Sequence, residues 1–192
     1  MPEQAPFPFD GKPQEPRDES ASHPVMNVFV RRANIEDAPG IVAIWRAIAA
    51  ERIFSAVDRA FSIGQERAYI QGLTKREAIF VAESRGLERQ IIGFQTLDRW
   101  ATYTSSMDHV GQIGTFVLPE WRGRGLGHQL AEETLSFARS KGYEKLIILV
   151  RASNERGQKF YTSLGFKPCG RLTRQTRIDG RYEDEILMEL FL

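Results

Sequence analysis

Residues 117–127 read VLPEWRGRGLG, and this stretch is the most informative in the chain. An apolar run ends at Val117, a Pro-Glu pair turns the chain, and glycines then take every second position from 123 to 127 ahead of an amphipathic segment. Because glycine has no Cβ, the backbone there can approach a ligand closely with its N–H groups accessible. A helix start adds unpaired N–H donors and a partial positive charge. A strand, a glycine-rich turn and a helix start together predict an anion site, most often for phosphate.

The composition indicates one globular domain and excludes several classes of protein. The chain has 192 residues, of which 42% are hydrophobic and 27% are charged. A net charge of +1 gives no electrostatic case for nucleic acid. No apolar run approaches the roughly 20 residues of a membrane span, and no signal peptide is recognisable. The single cysteine, Cys169, allows no internal disulfide. We therefore expect a cytoplasmic protein without a nucleic-acid or membrane partner.

The first 24 residues differ from the rest of the chain. They hold six of the nine prolines, with Asp, Glu, Gln and Ser between them. A segment with so few apolar residues to bury is typical of disorder. We therefore predict a disordered Pro-rich tail at 1–24 and a single folded domain at 25–192.

Hydrophobic periodicity predicts helices interleaved with strands. Strands are predicted at 26–32, 77–83, 90–97, 109–117 and 146–150, followed by two strands from Phe166 onward that are joined at Asp179-Gly180. Helices are predicted after Asn34, from 62 to 73, from 126 to Gly142, and after Ser153 or Asn154. The order β-α-α-β-β-β-α-β-α-β-β places helices around a mixed sheet, which is an α/β or α+β class.

Two motifs resemble the signatures of the GCN5-related N-acetyltransferase (GNAT) superfamily. Arg122-x-x-Gly125-x-Gly127 is similar to its acetyl-CoA motif, whereas the glycine spacing fits neither G-x-G-x-x-G nor a P-loop. Asn154, followed seven residues later by Tyr161 of a Y-x-x-x-G-F run, is similar to its second signature. The motifs occur in the family's order, and the element order over 25–192 matches as well. The resemblance implies a mixed, mostly antiparallel central sheet flanked by helices.

The same resemblance implies how acetyl-CoA binds. The strands around 109–117 and 146–150 would splay apart, and the pantetheine arm would pair with the first of them. The amides of 123–128 would hold the pyrophosphate, and Asn154 would hydrogen-bond the cofactor arm. Whether the Arg122 side chain is structural or faces the phosphates stays open. The cofactor-binding residues implied are Thr115, Phe116, Val117, Arg122, Gly123, Arg124, Gly125, Leu126, Gly127, His128 and Asn154. No pair of histidines has zinc-ligand spacing, so we predict no metal.

Tyr161 is the predicted catalytic residue. A phenol near the sulfur of CoA can protonate or hydrogen-bond the departing thiolate. The competing interpretation is a core tyrosine, since Phe160, Tyr161 and Leu164 share one apolar helix face; the resemblance favours catalysis. Some members of the family carry a glutamate base on the strand before the Asn, but 146–150 has no carboxylate. The remaining candidates for the base are Glu51, Glu83, Asp98 and Asp108.

These residues predict an N-acetyltransferase in which a primary amine attacks acetyl-CoA directly. We expect the acceptor to be a small amine or amino acid, bound by the segments at 41–73 and 98–109 and by the last hairpin. The aromatic residues expected there are Trp45, Phe54, Phe61, Trp100 and Tyr103. A protein N-terminal or lysine acetyltransferase and a non-catalytic CoA-binding sensor are the alternatives, and a homodimer is left open. Four arginines at the last hairpin, Arg171, Arg174, Arg177 and Arg181, are expected to form a solvated edge with the acidic residues Glu183, Asp184 and Glu185. The alternative is that these arginines attract an acidic substrate or the phosphates of CoA.

Overall fold

A seven-stranded sheet forms the centre of the computed structural model, which describes residues 28–85 and 89–192. Its strands are β1 Val28–Arg32, β2 Ala78–Arg85, β3 Arg89–Arg99, β4 Val110–Val117, β5 Lys145–Arg151, β6 Lys167–Ile178 and β7 Arg181–Phe191. The spatial order is β1-β2-β3-β4-β5-β7-β6. Neighbours pair antiparallel except β4 and β5, which are parallel. The predicted mixed, mostly antiparallel sheet is confirmed.

Four α-helices flank the sheet, and helices and strands follow one another in the predicted order. The helices are α1 Ala38–Glu51, α2 Ile63–Gly72, α3 Leu126–Ser140 and α4 Glu155–Ser163, with short 3-10 turns at Ile35–Asp37 and Pro119–Trp121. None of the helices in the described ranges is long and apolar enough to cross a membrane. The tail predicted at 1–24 lies outside the described residues, as do the first two residues of the predicted 26–32 strand.

Side chains at the helix starts explain where the helices begin. Asn34 caps the 3-10 turn ahead of α1, and its side chain and that of Asp37 form a reciprocal capping box. Ser62 and Gln65 do the same for α2. Of the two residues proposed as the cap of α4, the structure selects Asn154. These local hydrogen bonds satisfy N–H groups that a helix leaves unpaired.

The helices pack on opposite faces of the sheet. On β3, the Phe94 ring contacts Trp45 of α1 at 5.1 Å between ring centres. The preceding residue, Gly93, faces α3, since a Cβ there would lie 3.5 Å from the Leu130 side chain. Successive residues of a strand point to opposite faces, so α1 and α3 cover the two sides.

The middle of the sheet is where the fold opens. β4 and β5 pair only from Val110 to Gln112, opposite 145–147. Beyond that point β4 stays bonded to β3 as far as Val117, and β5 stays bonded to β7 as far as Arg151. The two strands therefore diverge, as predicted. Beyond the paired stretch, the facing edges of β4 and β5 have no strand partner.

The last two strands meet in the predicted hairpin. Asp179 and Gly180 both have positive φ angles, 50° and 78°. Two consecutive left-handed residues form the two-residue turn whose twist matches that of the flanking strands. This turn brings β7 back between β5 and β6.

Candidate active site

A cleft of about 610 Å³ lies where β4 and β5 diverge. The diverging halves of both strands, the start of α3 and one side of α4 form its walls. The predicted site residues that line it are Thr115, Phe116, Val117, Arg122, Gly123, Gly125, Leu126, Gly127, His128, Asn154 and Tyr161. Arg124 is not part of the lining, and its guanidinium lies 5.2 Å from the centre of the Trp121 ring. The sequence motifs thus converge on one concave surface.

The glycine turn has the backbone conformation that the sequence predicts. Gly123 and Gly125 have φ angles of 76° and 79°, in the left-handed region that favours glycine. Gly125 is the N-cap of α3, so the first N–H groups of the helix have no partner within it. A Cβ at Gly127 would lie 2.8 Å from a ring carbon of Phe160, so this glycine lets α3 approach α4. Together these features place unpaired N–H donors and the positive end of α3 at the cleft.

The Arg122 side chain is held by partners within the protein. Its guanidinium donates to both carboxylate oxygens of Glu51 at 2.7 and 2.6 Å, and its Nε donates to the Val117 carbonyl oxygen at 3.0 Å. It also lies 5.1 Å from the centre of the Phe54 ring. Arg122 therefore ties the end of β4 to the end of α1.

Asn154 lines the cleft, but its side chain already binds the protein. Its Oδ1 accepts from the Gly157 N–H at 2.8 Å, which caps α4. Its Nδ2 donates to the Phe54 carbonyl oxygen at 3.2 Å. One amide hydrogen remains for a ligand, since an asparagine side chain has two.

Tyr161 places its hydroxyl against the opened part of β4. The hydroxyl donates to Thr115 Oγ1 at 3.1 Å, and the same oxygen accepts from Gln95 Nε2 at 2.6 Å. The ring packs between Phe160 and Phe166, 4.9 and 5.5 Å away between centres. Burial raises the pKa of the Tyr161 hydroxyl, although its hydrogen bonds with Thr115 oppose the rise. The phenol is therefore protonated at neutral pH and can act as a proton donor at the edge of the cleft.

Comparison with known proteins shows which family the chain belongs to. Residues 45–166 match the Acetyltransferase (GNAT) family. The chain belongs to this family. As a GNAT protein it is an acetyl-CoA-dependent acetyltransferase, which confirms the family and enzyme class predicted from the motifs.

Individual relatives support the assignment over most of the chain. The L-methionine sulfoximine/L-methionine sulfone acetyltransferase of Pseudomonas paraeruginosa is 25% identical over 176 residues, which cover 87% of this chain and 96% of the relative. An N-acetyltransferase structure from Staphylococcus aureus Mu50 superimposes with a TM-score of 0.78 at 26% identity, covering 86% of this chain and 98% of that one. The acetyl-CoA complex of a GNAT phosphinothricin acetyltransferase from Sinorhizobium meliloti shares the fold, with a TM-score of 0.78, 19% identity and coverage of 87% and 89%.

The four carboxylates considered as a base in this GNAT protein do not line the cleft. Each is held elsewhere by a hydrogen bond or an ion pair, so the structure does not bring these carboxylates to the cleft. The pairs are Glu51 with Arg122, Glu83 with Arg31, Asp98 with the Tyr69 hydroxyl, and Asp108 with Arg99.

Glu185 is the carboxylate that does line the cleft, among those in the described ranges. It is 5% exposed, so it is not part of the solvated edge expected at the last hairpin. The expectation was wrong for Glu185 because β7 lies inside the sheet, between β5 and β6. Burial raises the pKa of the Glu185 carboxyl, and the nearby positive charge of Arg151 opposes the rise. The alternation of Glu185 with Ile186 was the sequence signal for a side chain facing away from the apolar side.

Most of the aromatic residues expected around the acceptor do not line the cleft. Phe54 lines the cleft. Trp45 and Phe61 pack against each other at 5.4 Å, and Trp45 belongs to the core beneath α1. Trp100 and Tyr103 are exposed and do not contribute to the lining.

Proposed function

We propose that this GNAT protein transfers the acetyl group of acetyl-CoA to the primary amine of a small acceptor, such as an amino acid or an amino-acid analogue. The observation that carries the proposal is the opening between β4 and β5, with the Tyr161 hydroxyl on its edge at Thr115. A long thin molecule with phosphates at one end and a thioester at the other fits this shape.

The residues of the cleft match the chemistry of acetyl-CoA. The β4 edge at 115–117 has backbone groups that face no strand, and these would hydrogen-bond the amides of the pantetheine arm. The N–H groups of 123–128 and the positive end of α3 would hold the pyrophosphate. Bound there, acetyl-CoA supplies an activated acetyl group as a thioester. In this proposal the Arg122 side chain contributes by fixing the loop, not by contacting phosphate.

Tyr161 would serve as the proton donor. Its buried hydroxyl would give a proton to the sulfur that leaves the acetyl group. The backbone N–H groups of β4 near Val117 would polarise the acetyl carbonyl without having to reorient. Most of the rate enhancement would come from this positioning.

One observation favours a small acceptor. A relative that covers nearly the whole chain is named for acetylating methionine sulfoximine and methionine sulfone, both of which are amino-acid analogues. A protein acetyltransferase is the alternative that the following experiment distinguishes.

The experiment is a panel of amines with acetyl-CoA, read as released thiol and as the mass of the product. The panel contains methionine sulfoximine, methionine sulfone, single amino acids, a short peptide with a free N-terminus and a peptide with an internal lysine. Because Cys169 is exposed, a reaction without acceptor gives the thiol background of the protein itself. We expect acetylation of one or more of the small amines. Turnover with the peptides alone would show a protein acetyltransferase, and acetyl-CoA binding without turnover of any small amine would contradict the proposed acceptor class.

A further inference from the structure

Tyr161 and Glu185 line the same cleft from opposite faces of the sheet. Tyr161 packs in one cluster with Val150 of β5. The next residue, Arg151, points to the other face, because side chains alternate along a strand. Glu185 is the register partner of Arg151 across β5 and β7 and therefore shares that face. The opening between β4 and β5 thus has a phenol on one side and a carboxylate on the other.

The positive charge nearest to Glu185 is already engaged. Arg151 forms an ion pair with Glu183, and it donates to the Arg52 carbonyl oxygen at 2.6 Å. Glu183 in turn accepts from the Ser153 N–H at 3.0 Å. Within the described ranges, no hydrogen bond stabilises the Glu185 carboxylate. Burying a carboxylate that has no hydrogen-bond donor costs free energy. A cationic ligand in the cleft would supply the missing donor.

We propose that Glu185 accepts the proton of the acceptor's ammonium group, so that the acceptor enters on the face of the sheet opposite to Tyr161. This inference rests on the proposed function. It assigns the base that the predicted carboxylates do not provide.

The ammonium N–H bond breaks and its proton passes to a Glu185 oxygen, which leaves a neutral amine. The amine lone pair forms the C–N bond to the acetyl carbon, and the C–S pair goes to sulfur, which takes the Tyr161 proton. The nitrogen loses its second excess proton to solvent, from which Tyr161 is reprotonated, and Glu185 releases its own proton to solvent. The net products are an acetamide, the free thiol and one proton.

The burial of Glu185 favours its role as a proton acceptor. Because the pKa of Glu185 is raised, it lies closer to the pKa of the acceptor's ammonium group. Proton transfer from the ammonium group to Glu185 is therefore less unfavourable. The charged groups around it are Arg151 on β5, Glu183 on its own strand, and Arg156 of α4 in the cleft lining. Its register partner on β6, Leu172, is uncharged.

The test compares Glu185→Gln with a matched control, Glu189→Gln. Glu189 lies on the same strand and the same face and pairs with Lys145, but it does not line the cleft. For an amine that the wild-type protein acetylates, kcat/KM is measured from pH 6 to pH 10, and acetyl-CoA affinity is measured by calorimetry. We expect E185Q to lower kcat/KM at neutral pH by about 10²- to 10⁴-fold. The deficit should shrink as the acceptor deprotonates in solution, while E189Q and the affinity for acetyl-CoA stay near wild type.

Each other outcome overturns the inference. Equal rates for E185Q and E189Q would remove Glu185 from the reaction. A deficit that is constant across pH would show a purely structural effect. If E185Q does not fold, Glu185→Asp, which shifts the carboxylate by one methylene, must show the same pH-dependent deficit. A wild-type protein inactive with every amine would overturn the proposed function and this inference together, whereas an active wild type with an unaffected E185Q overturns only the inference.

Discussion

The clamp between Arg122 and Glu51 provides a direct test of how the site is built. We predict that Arg122 stabilises the loop after β4 and does not hold phosphate. The perturbation is Glu51→Gln, which keeps the size of the side chain and removes the charge that the guanidinium contacts. Arg122→Met removes the other partner. The double variant completes a double-mutant cycle, which measures the interaction energy of the pair.

The structure sets the expected magnitude. The Arg122 and Glu51 side chains are 16% and 20% exposed, and both carboxylate oxygens accept a hydrogen bond. Exposed ion pairs contribute about 0.2–1 kcal/mol, and breaking a fully buried pair costs about 3–5 kcal/mol. At this burial we expect each single variant to lose about 2–3 kcal/mol of unfolding free energy. For a chain of this length that lowers Tm by about 4–12 °C.

The assay is denaturant unfolding of the four proteins, together with acetyl-CoA calorimetry. The double variant should lose less than the sum of the single variants by at least about 1 kcal/mol, because neither charge is left unpaired. Both single variants should weaken acetyl-CoA binding to a similar extent. An E51Q variant as stable as wild type would refute the clamp. Weakened binding in R122M but not in E51Q would show that Arg122 contacts phosphate directly.

Three further predictions concern catalysis, pH dependence and the tail. Tyr161→Phe should lower kcat by about 10²- to 10⁴-fold with acetyl-CoA affinity retained; a Tm drop with normal turnover would make it a core residue. Burial alone would raise the pKa of Asp37, but hydrogen bonds from Arg31 and the Asn34 N–H hold it below its ordinary value. The stability that Asp37 contributes is therefore present above about pH 4 and lost as pH falls through the lower folded value. Asp37→Asn should lower Tm at pH 7 by an amount equivalent to about 3 kcal/mol. In this variant Tm should also fall less steeply than in the wild type as the pH is lowered into the acid range. Deleting residues 1–24 should leave Tm nearly unchanged, and a drop of many degrees would place the domain boundary elsewhere.

Local signals in the sequence were sufficient for most of the fold. Caps such as Asn34 and Ser62, the glycine turn and the Asp179-Gly180 hairpin depend on residues a few positions apart. Their conformations follow from short-range hydrogen bonds and from the freedom of glycine at positive φ. The divergence of β4 and β5 was implied by the family resemblance, and the strand pairing confirms it.

The parts of the site that sequence reasoning missed depend on contacts between distant segments. Arg122 meets Glu51 across 71 positions, so its partner was not visible in any motif. Glu185 belongs to a hairpin that resembles a sheet edge, and it is buried only because β7 inserts next to β5. Periodicity shows which face of a strand a residue occupies, but not which strand lies beside it.

We propose that acetyl-CoA binds at the start of α3, in the opening between β4 and β5. The chain offers a matched pair of glycines with which to test it. Gly125 and Gly142 have φ angles of 79° and 73°, and a Cβ at either would meet no atom within 4 Å. Gly125 lines the cleft at the start of α3, whereas Gly142 follows the other end of the same helix and does not line it.

The decisive measurement is acetyl-CoA calorimetry on Gly125→Leu and Gly142→Leu. Both variants adopt the same unfavourable backbone conformation and should lose similar stability, about 1–2 kcal/mol. Only Gly125→Leu should lose acetyl-CoA binding, because its side chain would occupy the phosphate end of the cleft. Native-like affinity in a folded Gly125→Leu protein, or an equal loss in Gly142→Leu, would contradict the account.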